Sequence, residues 1–402
     1  MKILIVSQYF WPENFRINDL ALELKSRGHD VAVLTGKPNY PEGRFFDGYS
    51  FFSKSKDSFS DIPIYRVFML PRKNGRGMYL ALNYLSFAFF SSIFALFHRK
   101  KYDASFVFAI SPITMVFPAI VHKKCYGTKL GLWVQDLWPE SVVAAGKFES
   151  KFIYNRLTQM VKYIYRQSDK IFISSKSFAP SILQKYNDNT KVHYLPNWAE
   201  DIFLISEIKK QKYEDLIPEG FIVMFAGNIG ESQDIDHIVK AAIETKKDRM
   251  IKWIFVGDGR KKKWLEEQVQ TYDLVDTVLL LGRYPLEEMP HLYIHADILL
   301  VSLKNEEIFN LTIPAKTQSY MAFGKPIVAM LNGEGASLIQ EAQCGIAVPA
   351  GDYKTLAKKI CDMKLMEQER LQQMGANGKQ FYETYFSKDI IISDLISTFQ
   401  SL

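Results

Sequence analysis

Two short segments carry the residue types that bind a phosphate group. Gly227-Asn228-Ile229-Gly230 directly follows the apolar run FIVMFA and precedes a predicted helix, and at such a turn backbone N–H groups and the helix dipole favour an anion. In Ile313-Pro314-Ala315-Lys316 a proline begins another predicted helix and a cation follows two residues later. Lys316 could therefore neutralise charge on a departing phosphate. The alternatives are an ordinary tight turn and a plain helix start with a solvated lysine.

A third glycine-rich segment, Val256-Gly257-Asp258-Gly259, ends the next apolar run. The dinucleotide-binding pattern GxGxxG requires a third glycine, and residue 262 is a lysine instead. A nicotinamide-dependent dehydrogenase is therefore disfavoured.

Two pairs of acidic residues are candidates for chemistry. Asp136 and Glu140 follow the apolar run GLWVQ, and a carboxylate at a strand end could orient a hydroxyl or accept its proton, or the pair could only cap the next helix. Asp234 and Asp236 form a DxD pattern that could chelate a divalent cation. Because acids are favoured at a helix start, we expect no metal there.

Strand-like and helix-length runs alternate along the chain, which predicts two α/β domains, each a doubly wound, Rossmann-like parallel sheet. The first series opens with KILIVSQYF and the second with FIVMFAGN, and residues 196–220 read as a linker. In such folds a ligand binds at the carboxyl ends of the strands, here in an interdomain cleft. The predicted domains are residues 1–200 and 201–385, followed by a C-terminal helix at 386–402.

Composition fits a soluble two-domain protein and shows a strong charge asymmetry. The 402 residues are 48% hydrophobic and 23% charged, with three scattered cysteines that indicate a reducing, cytoplasmic location. Residues 1–200 contain 27 Lys and Arg against 15 Asp and Glu, whereas residues 201–402 contain 23 against 29. The first half therefore faces something anionic. Nucleic acid is not expected, because Lys261, Lys262 and Lys263 lack interleaved aromatics and read as a solvated face.

Residues 78–97 contain no charge and are long enough for a membrane span. Cations flank both ends, so the one-sided bias of a true span is missing. We predict a buried or interfacial helix, and attachment to an anionic membrane that high salt reverses. The cations concerned are Arg72, Lys73, Arg76, Arg99, Lys100 and Lys101. The N-terminal run MKILIVS reads as a buried strand rather than a signal peptide.

Motifs along the whole chain resemble those of retaining glycosyltransferases of family 4, which have the two-domain GT-B fold. In order they are SRGHDV, PNW, GNxG, VGDG, LLLGRYPxEEMP and YMAFGKPIVA. The resemblance implies that the C-terminal domain binds a nucleotide diphosphate sugar, the N-terminal domain binds the acceptor, and the last helix crosses back to the first domain.

The resemblance also implies a set of donor-binding residues, with departures from the family pattern. Gln233 stands near the position of the family's lysine, and Leu311 and Ser319 replace its paired glutamates. We therefore expect the phosphate contacts to come from Lys316 and backbone groups. The donor-binding set is Gly227, Asn228, Gly230, Gly257, Arg283, Tyr284, Pro314, Lys316 and Ser319, and the catalytic set is Lys316, Asp136 and Glu140.

Three further segments, SQYFWPENFRINDLA, WVQDLWPES and IPAKTQSYMA, resemble bacterial O-antigen N-acetyl-L-fucosaminyltransferases. This implies transfer from a UDP-sugar co-substrate to a polyprenyl-diphosphate-linked glycan. Because the DxD pattern lies at a helix start and Lys316 can offset diphosphate charge, we predict that the reaction needs no metal and no other cofactor. The protein would be cytoplasmic and peripherally attached to the inner face of the bacterial cytoplasmic membrane. A UDP-sugar 2-epimerase of related fold and a non-catalytic nucleotide-sugar or membrane-binding protein are the alternatives.

Overall fold

The computed structural model describes residues 1–73, 77–144, 150–205, 208 and 212–402. Arg76 of the predicted membrane-facing set lies outside these residues. The chain forms two compact units, residues 1–195 with 392–402 and residues 196–391. The sequence places the boundaries at 200 and 385. Residues 196–200 belong to the second unit because Tyr382 and Ser319 hold Ala199 and Glu200 there.

The first unit is an α/β sandwich around an eight-stranded sheet of order β3-β4-β2-β1-β5-β6-β7-β8, parallel except at the β3–β4 hairpin. Its central strands are continuous apolar runs because both faces of the sheet are covered. The strands are β1 Lys2–Val6, β2 Asp30–Thr35, β3 Lys56–Phe59, β4 Ile62–Arg66, β5 Ala104–Ala109, β6 Lys129–Val134, β7 Lys170–Ile173 and β8 Val192–Tyr194. The helices are α1 Arg16–Ser26, α2 Gly77–Phe97, α3 Phe117–Tyr126, α4 Glu140–Ala144, α5 Lys151–Gln167 and α6 Ala179–Lys185.

The second unit has a six-stranded parallel sheet of order β11-β10-β9-β12-β13-β14. The strands are β9 Phe221–Ala226, β10 Ile251–Val256, β11 Val278–Gly282, β12 Ile298–Ser302, β13 Ile327–Met330 and β14 Gly345–Val348. The helices are α7 Ile235–Thr245, α8 Lys262–Thr271, α9 Met289–Tyr293, α10 Glu307–Asn310, α11 Ala315–Phe323, α12 Gly333–Glu341, α13 Tyr353–Lys364 and α14 Gln368–Tyr385. The last helix, α15 Lys388–Gln400, begins in the second unit and ends in the first. The winding direction reverses between β9 and β12, and between β1 and β5 in the first unit, and ligands bind at such points. The predicted fold class is confirmed.

The end of α15 packs in the first unit against Gly131, the one position of β6 without a side chain. The Phe399 ring lies 5.9 Å from Phe106 and 5.7 Å from Phe172. A Cβ on Gly131 would fall 2.4 Å from the Phe399 ring. His193 Nε2 and Asp394 Oδ2 add a contact of 2.7 Å. The glycine in β6 therefore makes room for the last helix.

Helix α2 matches the predicted apolar segment and is only partly buried. Among the residues that the structure describes, α2 is long and apolar enough to cross a membrane. One third of its most apolar 18-residue stretch is buried within the protein. Its buried side packs against α3 and the short turn at 113–116. The prediction of a helix is therefore correct, and its opposite side is open.

Candidate functional site

The turns that follow β9 and β10 touch through two glycines. Gly227 has φ +132° and Gly257 has φ +145°, a region that side chains rarely adopt. A Cβ on Gly257 would lie 1.9 Å from the Gly227 carbonyl oxygen. Gly227 N donates to Val256 O at 2.9 Å, and Gly257 N donates to Gly282 O at 2.7 Å. The carboxyl ends of three adjacent strands are thus joined into one backbone surface, which contains the GNxG and VGDG motifs.

Asn228 and Gly230 complete this surface. The Asn228 side chain folds back over its own turn, so that a Cβ on Gly230 would meet its Nδ2 at 2.4 Å. Ile229 N donates to Asp258 O at 2.8 Å. The Asn228 side chain and the hydrogen bond from Ile229 to Asp258 therefore both hold the turn after β9 in place.

Lys316 places its amine directly over the first of these glycines. A Cβ on Gly227 would lie 3.4 Å from Lys316 Nζ. The amine lies 3.8 Å from the centre of the Phe225 ring and donates to Gln233 Oε1 at 2.7 Å. No carboxylate faces it among these contacts, and burial lowers the pKa of Lys316 to about 7. An arriving diphosphate would therefore supply the missing counter-charge.

Tyr320 holds the helix that positions Lys316 next to Gly227. The two residues are four apart in α11, so their side chains lie on one face of the helix. The Tyr320 hydroxyl accepts from Ala226 N at 3.1 Å and donates to Ala226 O at 3.3 Å. Pro314 precedes the first residue of α11, and Gly324 at φ +80° ends it. The helix that carries Lys316 is thus tied to the last residue of β9.

The carboxylates of the DxD pattern already have partners. Asp236 forms an ion pair with Lys261, and Asp234 Oδ1 contacts His237 Nδ1 at 2.7 Å. In the part of the chain that the structure describes, no three His, Cys, Asp or Glu side chains form a group that could hold a metal ion. The solvated-face interpretation of Lys261 is wrong, because its amine is held by Asp236 and lies 4.3 Å from the Trp264 ring.

The remaining predicted donor residues lie around these strand ends in different environments. Ser319 Oγ donates to Glu200 Oε2 at 3.3 Å. Arg283 is exposed just after β11, and the Tyr284 ring lies 5.3 Å from Tyr213. Sequence reasoning missed Glu200, since PNWAE reads as the start of a linker.

In the first unit, Asp136 lies two residues beyond β6, which ends at Val134 rather than at Asp136. Its Oδ2 accepts from both the backbone N and the Oγ of Ser111, each at 3.0 Å. Trp138 Nε1 donates to the same Ser111 Oγ at 3.1 Å. Burial raises the pKa of Asp136, and the bonds from Ser111 oppose that rise. Asp136 is therefore a fixed carboxyl group at the strand end.

Tyr84 lies close enough to both Asp136 and the cation Arg72 to feel their charges. Burial raises the pKa of Tyr84, the nearby Arg72 charge lowers it, and Asp136 raises it further. The Arg72 guanidinium lies 4.8 Å from the Tyr40 ring centre, and its backbone N donates to Asn39 Oδ1 at 3.1 Å. Arg72 is one of the predicted membrane-facing cations, and in the structure its charge also acts on Tyr84.

Glu140 is engaged differently from Asp136. Its Oε1 accepts from Ser181 Oγ at 2.9 Å and forms an ion pair with Lys185. The Lys185 side chain is almost fully buried. Glu140, the first residue of α4, therefore fastens that helix to α6, and Asp136 is the better placed of the two predicted carboxylates.

A buried carboxyl group that the sequence did not reveal supports the loops above β1 and β2. Glu13 Oε1 accepts from Asn39 N at 2.8 Å and Tyr40 N at 2.7 Å, and Oε2 accepts from Phe10 N at 3.3 Å. Burial raises the pKa of Glu13 to about 7. The only sequence signal was an acid in an otherwise apolar and aromatic stretch.

Comparison with known families accounts for both units. The family model "Glycosyl transferase 4-like domain" matches residues 14–198, and "Glycosyl transferases group 1" matches residues 207–381. Together the two matches cover most of both Rossmann-like units and support a glycosyltransferase of the GT-B class.

Individual relatives agree with this class. The chain is 30% identical over 269 residues to the probable glycosyltransferase WbjE of Pseudomonas aeruginosa, a match that covers 63% of this chain and 64% of WbjE. It is 24% identical over 342 residues to the putative colanic acid biosynthesis glycosyl transferase WcaI of Escherichia coli, covering 81% and 82%. The structure of HepE from Anabaena in complex with UDP has a TM-score of 0.74 at 15% identity and covers all of both chains, which supports the fold.

Proposed function

We propose that the protein is a retaining glycosyltransferase that moves an N-acetylated hexose from a UDP-sugar to a lipid-diphosphate-linked sugar acceptor. The observation that carries the proposal is the Lys316 amine, which lies over Gly227 without a carboxylate partner among its described contacts. A site that holds a partly buried cation against bare backbone fits a diphosphate.

In the donor half, the second unit binds UDP at the ends of β9, β10 and β11. Lys316 neutralises the charge that develops on the diphosphate when the bond from the sugar C1 to oxygen breaks, and UDP leaves with the bonding electrons. Ser319 and Glu200, which are hydrogen-bonded to each other, offer oxygens to donor hydroxyl groups. No metal is required in this scheme.

In the acceptor half, the first unit orients the hydroxyl that attacks C1. The new bond forms on the face that UDP leaves, and the hydroxyl proton passes to Asp136. A raised pKa makes the Asp136 carboxylate a better proton acceptor than an ordinary aspartate. Arg72, with its charge acting on Tyr84 and its guanidinium over Tyr40, suits the acceptor diphosphate.

The biological setting is proposed from the relatives. WcaI is described as a putative colanic acid glycosyl transferase, CapM of Staphylococcus aureus as a capsular polysaccharide glycosyltransferase, and HepE was solved with UDP. We infer a role in O-antigen or capsule assembly at the inner face of the cytoplasmic membrane. From the sequence resemblance, N-acetyl-L-fucosamine is the proposed sugar.

The test is a screen of UDP-sugars with a bacterial lipid extract, read by product mass. A lipid product heavier by one N-acetylated deoxyhexose supports the proposal. Conversion of the donor without acceptor to an epimer, which has the same mass and is resolved by chromatography, would identify a 2-epimerase. Binding without any product would identify a non-catalytic protein. Lys316→Ala should lower kcat by about 10²–10³. Lys263→Ala, an exposed lysine of α8, is the matched control and should leave kcat unchanged.

A further inference from the structure

Helix α2 carries a continuous apolar stripe on its open side. The exposed residues recur every three or four positions, which places them on one face over five turns. Leu85 is 59% exposed, Phe89 60% and Phe97 73%. We call this stripe the outer face of α2, and its members are Met78, Leu82, Leu85, Phe89, Ile93, Leu96 and Phe97.

Two polar residues of α2, Asn83 and Ser91, point the opposite way. Asn83 is fully buried, where its Oδ1 accepts from Gln8 Nε2 at 2.7 Å and its Nδ2 donates to Leu70 O at 2.5 Å. Ser91 is also buried and donates to Phe87 O at 2.5 Å. A surface helix in water has the reverse arrangement. The outer face of α2 is therefore shaped for an apolar environment.

An aromatic extension widens this face beyond the helix. The Phe90 ring lies 4.7 Å from Phe68, and Phe68 lies 5.3 Å from Phe51. The adjacent Phe52 is 92% exposed and lies 6.3 Å from the Phe68 ring. Contiguous exposed apolar surface of this kind marks an interaction site rather than chance exposure.

Cations stand at both ends of the outer face. Lys73 precedes α2, and Arg99 and Lys101 follow it, all three exposed. The helix itself contains no acidic residue. An apolar face bounded by cations complements an anionic lipid surface, in which Lys and Arg meet head groups and the apolar side chains enter the acyl boundary.

We propose that the outer face of α2, with Phe51 and Phe52, inserts into the plane of an anionic bilayer. The helix lies in the membrane surface and does not span it, because Asn83 fastens its other side to Gln8 and Leu70 of the first unit. This inference rests on the proposed function in one respect, the choice of the anionic cytoplasmic leaflet as the membrane surface. It also changes the expected attachment, since salt screens only the cations and leaves the apolar contact in place.

The experiment is flotation of the full chain with vesicles of phosphatidylcholine, with and without phosphatidylglycerol. The protein should float with the anionic vesicles and remain bound when salt is raised after binding. Leu85→Glu with Phe89→Glu should lower the bound fraction by at least about tenfold, since each buried side chain of this size contributes that much. Leu365→Glu, an 83% exposed leucine in the second unit, is the matched control and should not change flotation.

Three results would overturn the inference. They are loss of the wild-type protein from vesicles at high salt, wild-type flotation of the double variant, and a solution dimer that the double variant abolishes. Melting temperature and sugar transfer to a short, soluble acceptor analogue are measured for each variant. Unchanged transfer with lost flotation supports the docking surface. Absence of transfer in every protein, with normal flotation, would refute the proposed function alone.

Discussion

Binding of UDP should weaken as the pH rises above about 7, because Lys316 must then take up a proton to meet the diphosphate. In the ligand-free site burial lowers the pKa of Lys316 to about 7, whereas an ordinary lysine has a pKa of about 10.4. A bound diphosphate favours the charged amine and returns the pKa toward its ordinary value. The complex therefore holds more protons than the free protein over this range.

The size of the effect follows from that difference. One unit above its pKa, about 10% of Lys316 is charged, so affinity is about tenfold below its maximum and binding loses about 1.4 kcal/mol. Each further pH unit should cost another factor of about ten, until the pKa in the complex is reached.

Titration calorimetry between about pH 7 and pH 9 measures this directly. Two buffers of different ionisation enthalpy give the number of protons taken up per UDP, which should approach one for the wild-type protein. The Lys316→Ala variant should bind UDP weakly, with an affinity that changes little with pH. Any pH dependence that the variant does show comes from titration of UDP itself. Equal pH profiles for the two proteins, or the same proton uptake, would refute the reasoning.

Four other outcomes are expected. Transfer should persist in EDTA, and loss of activity that Mn²⁺ restores would count against a metal-independent reaction. Asp136→Asn should lower kcat far more than it weakens UDP-sugar binding; an unchanged kcat would remove Asp136 from the reaction. Gly257→Ala should lower the melting temperature and UDP affinity because its Cβ would lie 1.9 Å from Gly227 O, whereas Gly282→Ala, with nothing within 4 Å, should cost only the about 1–2 kcal/mol of a left-handed backbone. The free energy of unfolding of the wild-type protein should fall by up to about 3 kcal/mol between about pH 4.5 and pH 7. In this range the Glu13 carboxyl of the folded chain, with its pKa near 7, keeps a proton that the unfolded chain has lost. Denaturation curves of Glu13→Gln should lack this decrease with pH, and an equal decrease would contradict the assignment.

The fold could be predicted from sequence because its information is local. Each buried parallel strand is an uninterrupted apolar run, and each turn after it carries glycines whose backbone requires them. Gly227 and Lys316 could be proposed as site residues for the same reason, since each lies in a short motif where a strand ends or a helix begins.

The rest of the site depends on contacts between distant parts of the chain. Tyr320 reaches Ala226 from 94 positions away, and Glu200 lies 119 positions before Ser319. No spacing rule connects such pairs. The orientation of α2 was equally hidden, because the helix has no charged residue to mark its exposed side and its polar Asn83 is buried.

The position of Phe399 has a consequence for synthesis of the chain. The first unit is not continuous in sequence, since residues 392–402 belong to it and residues 196–391 do not. At a ribosomal speed of about 5–20 residues per second, the intervening stretch takes about 10–40 s to make. During that time the surface around Gly131, which Phe399 later covers, stays open to water and to other nascent chains. The first unit therefore emerges first from the ribosome and is completed last.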